Sequence, residues 1–585
     1  MTGAAASRDG SRRWHASLMA LVAIVTVACG QTGSVSPPAT MAATATDAAD
    51  NAARPGAPVA EPATFHSLGV RWPVQGDANA NAMIGVHYRP TGESAWREAL
   101  ALFRTDPKSV PPENRVAAGW LFAGSIVDLT PDTEYEVVLT LEDPDGGSVQ
   151  RALTMRTTAE PREPAGMRVR HVVPAASGDS GPGAGTRDDP FRGLRAAQSA
   201  AAPGDLFLLH AGVYSEGTWS IDHHGTAARP IIYRGAGDGD AVLDGGGHER
   251  LVSANHVRHV WLERLTLRHA EYLFVGHEGS HFVIRYCRLE VTGTGITAIN
   301  GGYEASRGFV ITDNVIQGPT TWPRSRGIEG INGVLISGAG HVVAYNRMSN
   351  LGDGVHGTGH GRLAASDINN NDIDASTDDG IEGDYADTNV RIYRNRITNA
   401  FSGISAQPSL GGPMYIFRNA IYNVLYSPFK LHNDTSGVLI FHNTSVRSGI
   451  PWLIDPAGET VNDVVTRNNL FIGTLPPALR STGVMIRCHF DRDGYGGAGD
   501  PGTPYPPGGA VVVASRGNFA GGVEPPRNPE ARHLSESVDL RLDPRSRAVD
   551  AGVRLPNFND AFTGTGPDLG CCEVGQPLPH YGPRS

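Results

Sequence analysis

Apolar and polar residues alternate in short runs along most of this chain, and past about residue 264 the runs recur at a nearly fixed spacing. A run ends in asparagine in His341-Val-Val-Ala-Tyr-Asn346, Asn389-Val-Arg-Ile-Tyr-Arg-Asn395, Met414-Tyr-Ile-Phe-Arg-Asn419 and Gly437-Val-Leu-Ile-Phe-His-Asn443. Asn314, Asn371 and Asn469 hold the same place. Successive intervals from Asn314 are 32, 25, 24, 24, 24 and 26 residues, and Cys287 and Arg264 continue the column backward at 27 and 23. Alternation with period two predicts half-buried strands. A repeat of two dozen residues containing such strands predicts a solenoid in which each coil buries its apolar side chains against the next. Asparagines stacked about 4.8 Å apart suit a ladder of side-chain amide hydrogen bonds inside a turn.

Both ends of the repeat carry closing signals. Residues 188–205 read as a short amphipathic helix covering the open core, followed by a strand at Leu206-Phe-Leu-Leu-His-Ala-Gly-Val-Tyr214. Ala548-Val-Asp-Ala-Gly552 and Gly566-Pro-Asp-Leu-Gly570 resemble the closing segment of secreted repeat proteins, which implies that they close the other end, and residues 480–530, rich in Gly and Pro, read as a long loop. Ahead of the repeat, Leu68-Gly-Val-Arg-Trp72, Ile84-Gly-Val-His-Tyr88 and Tyr135-Glu-Val-Val-Leu-Thr-Leu141 predict a small all-β unit over residues 65–158.

Two resemblances follow. The Asn-ended repeat, over about residues 165–520, resembles the right-handed parallel β-helix of pectate lyases and related carbohydrate-active proteins. Leucine-rich repeats share the period but not the composition. Leu129-Thr-Pro-Asp-Thr-Glu-Tyr135 resembles the tyrosine corner of fibronectin type III domains, which implies a β-sandwich with Trp72 in its core, read as a spacer. The expected fold class is therefore all-β: a right-handed parallel β-helix over residues 165–585, with its cap and closing segment, preceded by a fibronectin type III-like β-sandwich.

Composition sharpens this picture. With 73 Gly, 41 Pro and only 19% charged residues, the chain suits many strands joined by tight turns. Its net charge of −11 argues against a nucleic-acid partner, which would need clustered cations. An anionic substrate stays open, because a bound metal or local basic residues can reverse the field in one groove. Residues 1–29 read as a signal peptide, with Arg12 and Arg13 before an apolar run and Cys29. That end resembles the lipobox of bacterial lipoproteins, which implies acylation of Cys29 and an outer-membrane or cell-surface location; ordinary cleavage would give a periplasmic or secreted protein. Residues 30–64 read as a flexible linker, the lipid anchor as the only membrane contact, and the protein as a monomer. Cys287, Cys488, Cys571 and Cys572 lack metal-ligand spacing. One disulfide is open to them, as is a strand on which Cys571 faces the core and Cys572 the solvent, or the reverse.

Because coils repeat in register, offsets from the ladder asparagine become positions on the solenoid surface. Asp353 follows Asn346 by seven residues, as Asp378 follows Asn371; aligning the Asp-Gly-aliphatic triplets pairs Asp353 with Asp379 instead. Asp378-Asp-Gly-Ile-Glu382 adds further carboxylates in the same loop. Four such groups repel one another and call for a cation, and an oxygen-only donor set suits Ca²⁺. Lys430 and Glu382 both lie eleven residues after a ladder asparagine, two coils apart, so about 10 Å of rung spacing separates them, room for a sugar ring. A neutral Lys430, its pKa lowered by desolvation and a nearby cation, would be a base for the C5 proton of a uronate.

These five residues resemble the site of polysaccharide lyase family 9. The resemblance implies Ca²⁺ held by Asp353, Asp378, Asp379 and Glu382, and Lys430 as the base of β-elimination on an anionic, pectate-like polysaccharide. The fourth acid is Glu where the family has Asp, and Lys430 falls a coil further on. His356, His360, Gln407, His432 and Asn433 are candidates to line the groove, and Arg362 and Arg447 to bind uronate carboxylates. The alternatives are a non-catalytic glycan-binding or adhesion protein, a C5 epimerase, and a glycoside hydrolase. Gly359-His-Gly361 invites the last, but it precedes the Asp-Asp pair, and no Arg-Ile-Lys follows.

Overall fold

The structure, a computed structural model, describes residues 51–584 apart from 177–180, 299–305, 325–329, 360, 498–500 and 503. The signal peptide, Cys29, most of the expected linker and His360 lie outside the described residues. Among those described, no helix is long and apolar enough to cross a membrane.

Residues 168–513 form a parallel β-solenoid. Two sheets dominate it among the described residues, one of 16 strands and one of 17, and every pairing between neighbouring coils within them is parallel. The apolar side of each strand faces a continuous interior, where Ile368, Ile392, Ile416 and Ile440 stack in one column with no exposure. The short helix Leu194–Ser199 caps the first coil, burying Leu194 and Ala197. Strands Asp205–Leu209 and Gly212–Tyr214 follow where the pattern predicts a single run.

The asparagine ladder exists. From Asn314 to Asn469 each side-chain amide donates to the next coil's ladder oxygen at 2.9–3.0 Å, and each ladder backbone N–H donates to the same oxygen. Asn469 hands the ladder to Asp493, and Cys287 N–H donates to Asn314 at its start. The residue before each ladder position is left-handed, with φ near +55° at Tyr345, Asn370, Arg394, Arg418 and His442. That conformation turns the chain from one sheet to the other at a cost of about 1–2 kcal/mol per non-glycine residue, which the ladder's hydrogen bonds offset. The same test corrects one assignment: Arg264 is the left-handed residue, and strand register puts Leu265 in Cys287's column.

Other expectations shift as well. Within the expected loop of residues 480–530, Val484–Ile486, Asp493–Gly496 and Ala510–Val513 are strands that extend the two large sheets. The C-terminal segment packs along the flank, its Phe519, Leu540, Leu542 and Leu569 covering Ala420, Tyr422, Val446 and Leu470, and Gly582 N–H reaches back to the Asn370 carbonyl. Cys571 and Cys572 are both buried, outside any strand, with their Sγ atoms 2.8 Å apart, instead of facing opposite ways.

The N-terminal unit pairs a 5-stranded and a 4-stranded antiparallel sheet, with Trp72 fully buried and Tyr135 Oη accepting from Thr130 N–H at 2.9 Å. The tether expected to reach residue 64 stops earlier, because Arg54–Pro55 and Val59–Ala60 pair with Leu68–Gln75. The unit packs directly on the solenoid. Buried Glu61 accepts from Thr388 and Asn389 of the solenoid at 2.5 and 2.6 Å, Thr64 donates to Asp367, and Arg394 forks onto Asp128.

Candidate metal centre and lysine

The site lies on the 17-stranded sheet, where Asp353–Gly357, Asp372–Glu382, Arg396–Ala406 and Ala420–Leu431 run side by side. Val355 pairs with Ile381, so Asp353 shares a column with Asp379, and the triplet alignment is the correct one. Asp379 N–H donates to Asp353 Oδ1 at 3.0 Å. The column of glycines beside them is required by packing. A Cβ on Gly354 would meet Gly380 O at 2.7 Å, and one on Gly380 would meet Gly403 O at 2.8 Å. Asp378 is the extra residue of a β-bulge: Ser376 pairs with Ala400 and Asp379 with Ser402, so three steps on one strand face two on the next.

The bulge brings the acids together. One oxygen from each of Asp353, Asp378, Asp379 and Glu382 lies within 4.8 Å of the others, and all four side chains are buried. Solvated Asp-Gly turns would look different. Burial, then the neighbouring Asp379 charge, pushes Asp378 up to about 7, and burial likewise pushes Glu382 up to about 7. Among the described residues, buried Asp379 Oδ1 accepts no hydrogen bond, an unmet acceptor that a bound cation would satisfy. The donor set, carboxylate oxygens alone, fits a hard divalent ion.

Two cations stand in the cluster. Glu382 pairs in register with Ser405 and Ser405 with Lys430, which puts the lysine in the glutamate's column two coils on. Its side chain closes the gap meant for a sugar: Nζ is 2.5 Å from Asp379 Oδ2 and 4.0 Å from Glu382 Oε1. Burial would lower its pKa, but Asp379 outweighs burial and the net shift is upward, opposite to the lowered value expected. His356 is the second. Its Nδ1 lies 3.4 Å from Asp353 Oδ2 and closer still to Glu382 Oε2; these contacts outweigh burial and raise it to about 10.

The sequence pattern places His356 only among the groove residues, although its spacing marks it: it follows Asp353 by three, as Glu382 follows Asp379. Asp384 escapes the sequence reading altogether. It is buried, accepts from Ser405 Oγ and Gln407 N–H at 2.7 and 2.8 Å, and has its pKa raised by burial. Arg362 and Arg447 are otherwise engaged, Arg362 with Glu113 and Asp387, Arg447 with the carbonyls of Val424, Leu425 and Ile450.

No protein-family profile matches the chain. Pectate lyase L of Dickeya dadantii is 24% identical over 428 residues, which span 69% of this chain and 90% of that protein. Among solved structures, pectate lyase Pel9A aligns with a TM-score of 0.39 and 17% identity over 70% of this chain and 97% of its own. XylC with xylose aligns at 0.45 and 11%, over 70% and 98%. Structural likeness this slight bears on no question of function.

Proposed function

We propose that this protein is a calcium-dependent polysaccharide lyase that cleaves a uronate-containing, pectate-like polymer by β-elimination. The observation that carries the reading is the buried four-carboxylate cluster with Lys430 against it. The pectate lyase relative, aligned over most of its length, supports the substrate class.

Asp353, Asp378, Asp379 and Glu382 would hold Ca²⁺. When bound, the ion neutralises a uronate carboxylate and makes the neighbouring C5 proton more acidic. Lys430 removes that proton. Its ammonium would first be freed from Asp379 and give its proton to solvent water; the neutral amine would then take the C5 proton, the C5–H electron pair would form the C4–C5 double bond, and the C4–O bond would break with the leaving oxygen protonated by water. His356, protonated between Asp353 and Glu382, helps neutralise the cluster in the free protein and yields those carboxylates to the ion. The exported, lipid-anchored location, with Cys29 as the acylated residue, belongs to the same proposal.

The test is absorbance of the newly formed double bond on de-esterified polygalacturonate. We expect a signal that requires calcium, disappears with chelator, and falls about 10²–10⁴-fold in Lys430→Ala. A folded, calcium-bound protein silent on every uronate polymer would favour the glycan-binding alternative.

A further inference from the structure

The arginines singled out from the sequence are engaged, but Arg324, which no pattern marks, is not. Among the described residues its guanidinium forms no ion pair, and it stacks 4.2 Å from the centroid of the Phe401 ring. Phe401 lies beside the acidic cluster. Thr377 and Asp378 oppose it on one neighbouring strand and Leu425 and Tyr426 on the other. Tyr426 stacks on Phe401 at 5.5 Å with an interplanar angle of 3°. The result is a pair of stacked rings with one guanidinium over Phe401, within electrostatic reach of Asp378. The ring satisfies none of the guanidinium N–H donors, so they are left for a partner, and a carboxylate can take two of them in parallel hydrogen bonds.

We infer that Arg324 binds the carboxylate of a second uronate, next to the sugar held at the acidic cluster, and selects free over esterified acid units in the polymer. This rests on the reading of the site as that of a uronate lyase. Phe401 and Tyr426 are positioning residues, which act through Arg324.

The experiment compares de-esterified with methyl-esterified polygalacturonate in wild type, Arg324→Gln, Arg324→Lys and Phe401→Leu, with calcium affinity of each followed by calorimetry. Arg324→Gln is expected to raise KM for the de-esterified polymer about 10–100-fold with kcat within about threefold, and to erase the preference over the ester. Lysine should restore only part of the loss, since it offers a point charge without the fork. Phe401→Leu should fall between wild type and Arg324→Gln. Calcium affinity should be unchanged in Arg324→Lys and Phe401→Leu, which keep the charge, and tighten in Arg324→Gln by less than in Lys430→Ala, since the arginine reaches Asp378 but pairs with none of the acids. An unchanged KM and ester preference in Arg324→Gln overturns the inference while leaving the lyase reading intact. A wild type that neither binds nor cleaves any acidic polymer overturns the lyase reading, and this inference with it.

Discussion

At the scale of residues, the site in its ion-free state is a balance between four buried acids and two borrowed cations. Lys430 is 2.5 Å from Asp379, so on the proposed reading it competes with calcium for that carboxylate. Lys430→Ala should therefore lose about 10²–10⁴-fold in turnover yet tighten calcium binding by about tenfold or more, since a charge a few ångströms away is worth at least about 1.4 kcal/mol in a shielded site. Calorimetric titration checks this; weaker binding in the variant would mean that the lysine builds the site instead of competing for it. The raised acids add a pH dependence. Asp378 and Glu382 titrate near 7 in the folded protein against ordinary values of 3.8 and 4.5, so between about pH 4 and 7 the folded state binds more protons than the unfolded. Stability of the calcium-free protein then falls as pH rises through that window. Calcium, which needs the ionised forms, should release protons on binding near pH 6 and stabilise more at pH 8 than at pH 5. Thermal melts with calcium or chelator at the two pH values test the sign. Equal stabilisation at both would contradict the raised pKa values.

At the scale of elements, the asparagine ladder is the device that fixes register. Asn395→Ala would strand the Asn371 N–H and the Ile368 carbonyl, both buried, at a cost of about 2–4 kcal/mol. It should lower the melting temperature without loss of sheet signal in circular dichroism, and a change below about 0.5 kcal/mol would remove the ladder's structural role. The ladder is legible in the sequence because an amide repeated every two dozen residues marks the same hydrogen-bonded turn in each coil. Where the column holds Leu265, Cys287 or Asp493 the side chains give no such cue, and counting intervals lands on Arg264, one residue short of the column. The strands of 480–513 are hidden because each spans only two to four residues among Gly and Pro. In the site, column arithmetic locates Glu382 and Lys430 correctly, but it counts backbone rungs. It therefore misses the reach of a lysine side chain, which brings Nζ to 4.0 Å from Glu382 across an expected gap of about 10 Å, two rungs, and into an ion pair with Asp379.

At the scale of the whole molecule, the sandwich is part of the solenoid's wall. Ser125 Oγ donates to Asn389 Oδ1 at 2.9 Å, Arg391 Nη1 lies 3.1 Å from Ser125 Oγ, and Asn557 of the C-terminal segment joins Tyr88 and Val127. Those shared buried groups predict one cooperative calorimetric transition for residues 51–584; two well-separated transitions would show independent units. The measurement that tests the central claim most directly is the mass of the oligosaccharides released from polygalacturonate in heavy-oxygen water. Elimination makes a C4–C5 double bond and takes no oxygen from solvent, so the account predicts unsaturated, unlabelled products. Saturated fragments bearing one solvent oxygen at each new reducing end would show hydrolysis and contradict it.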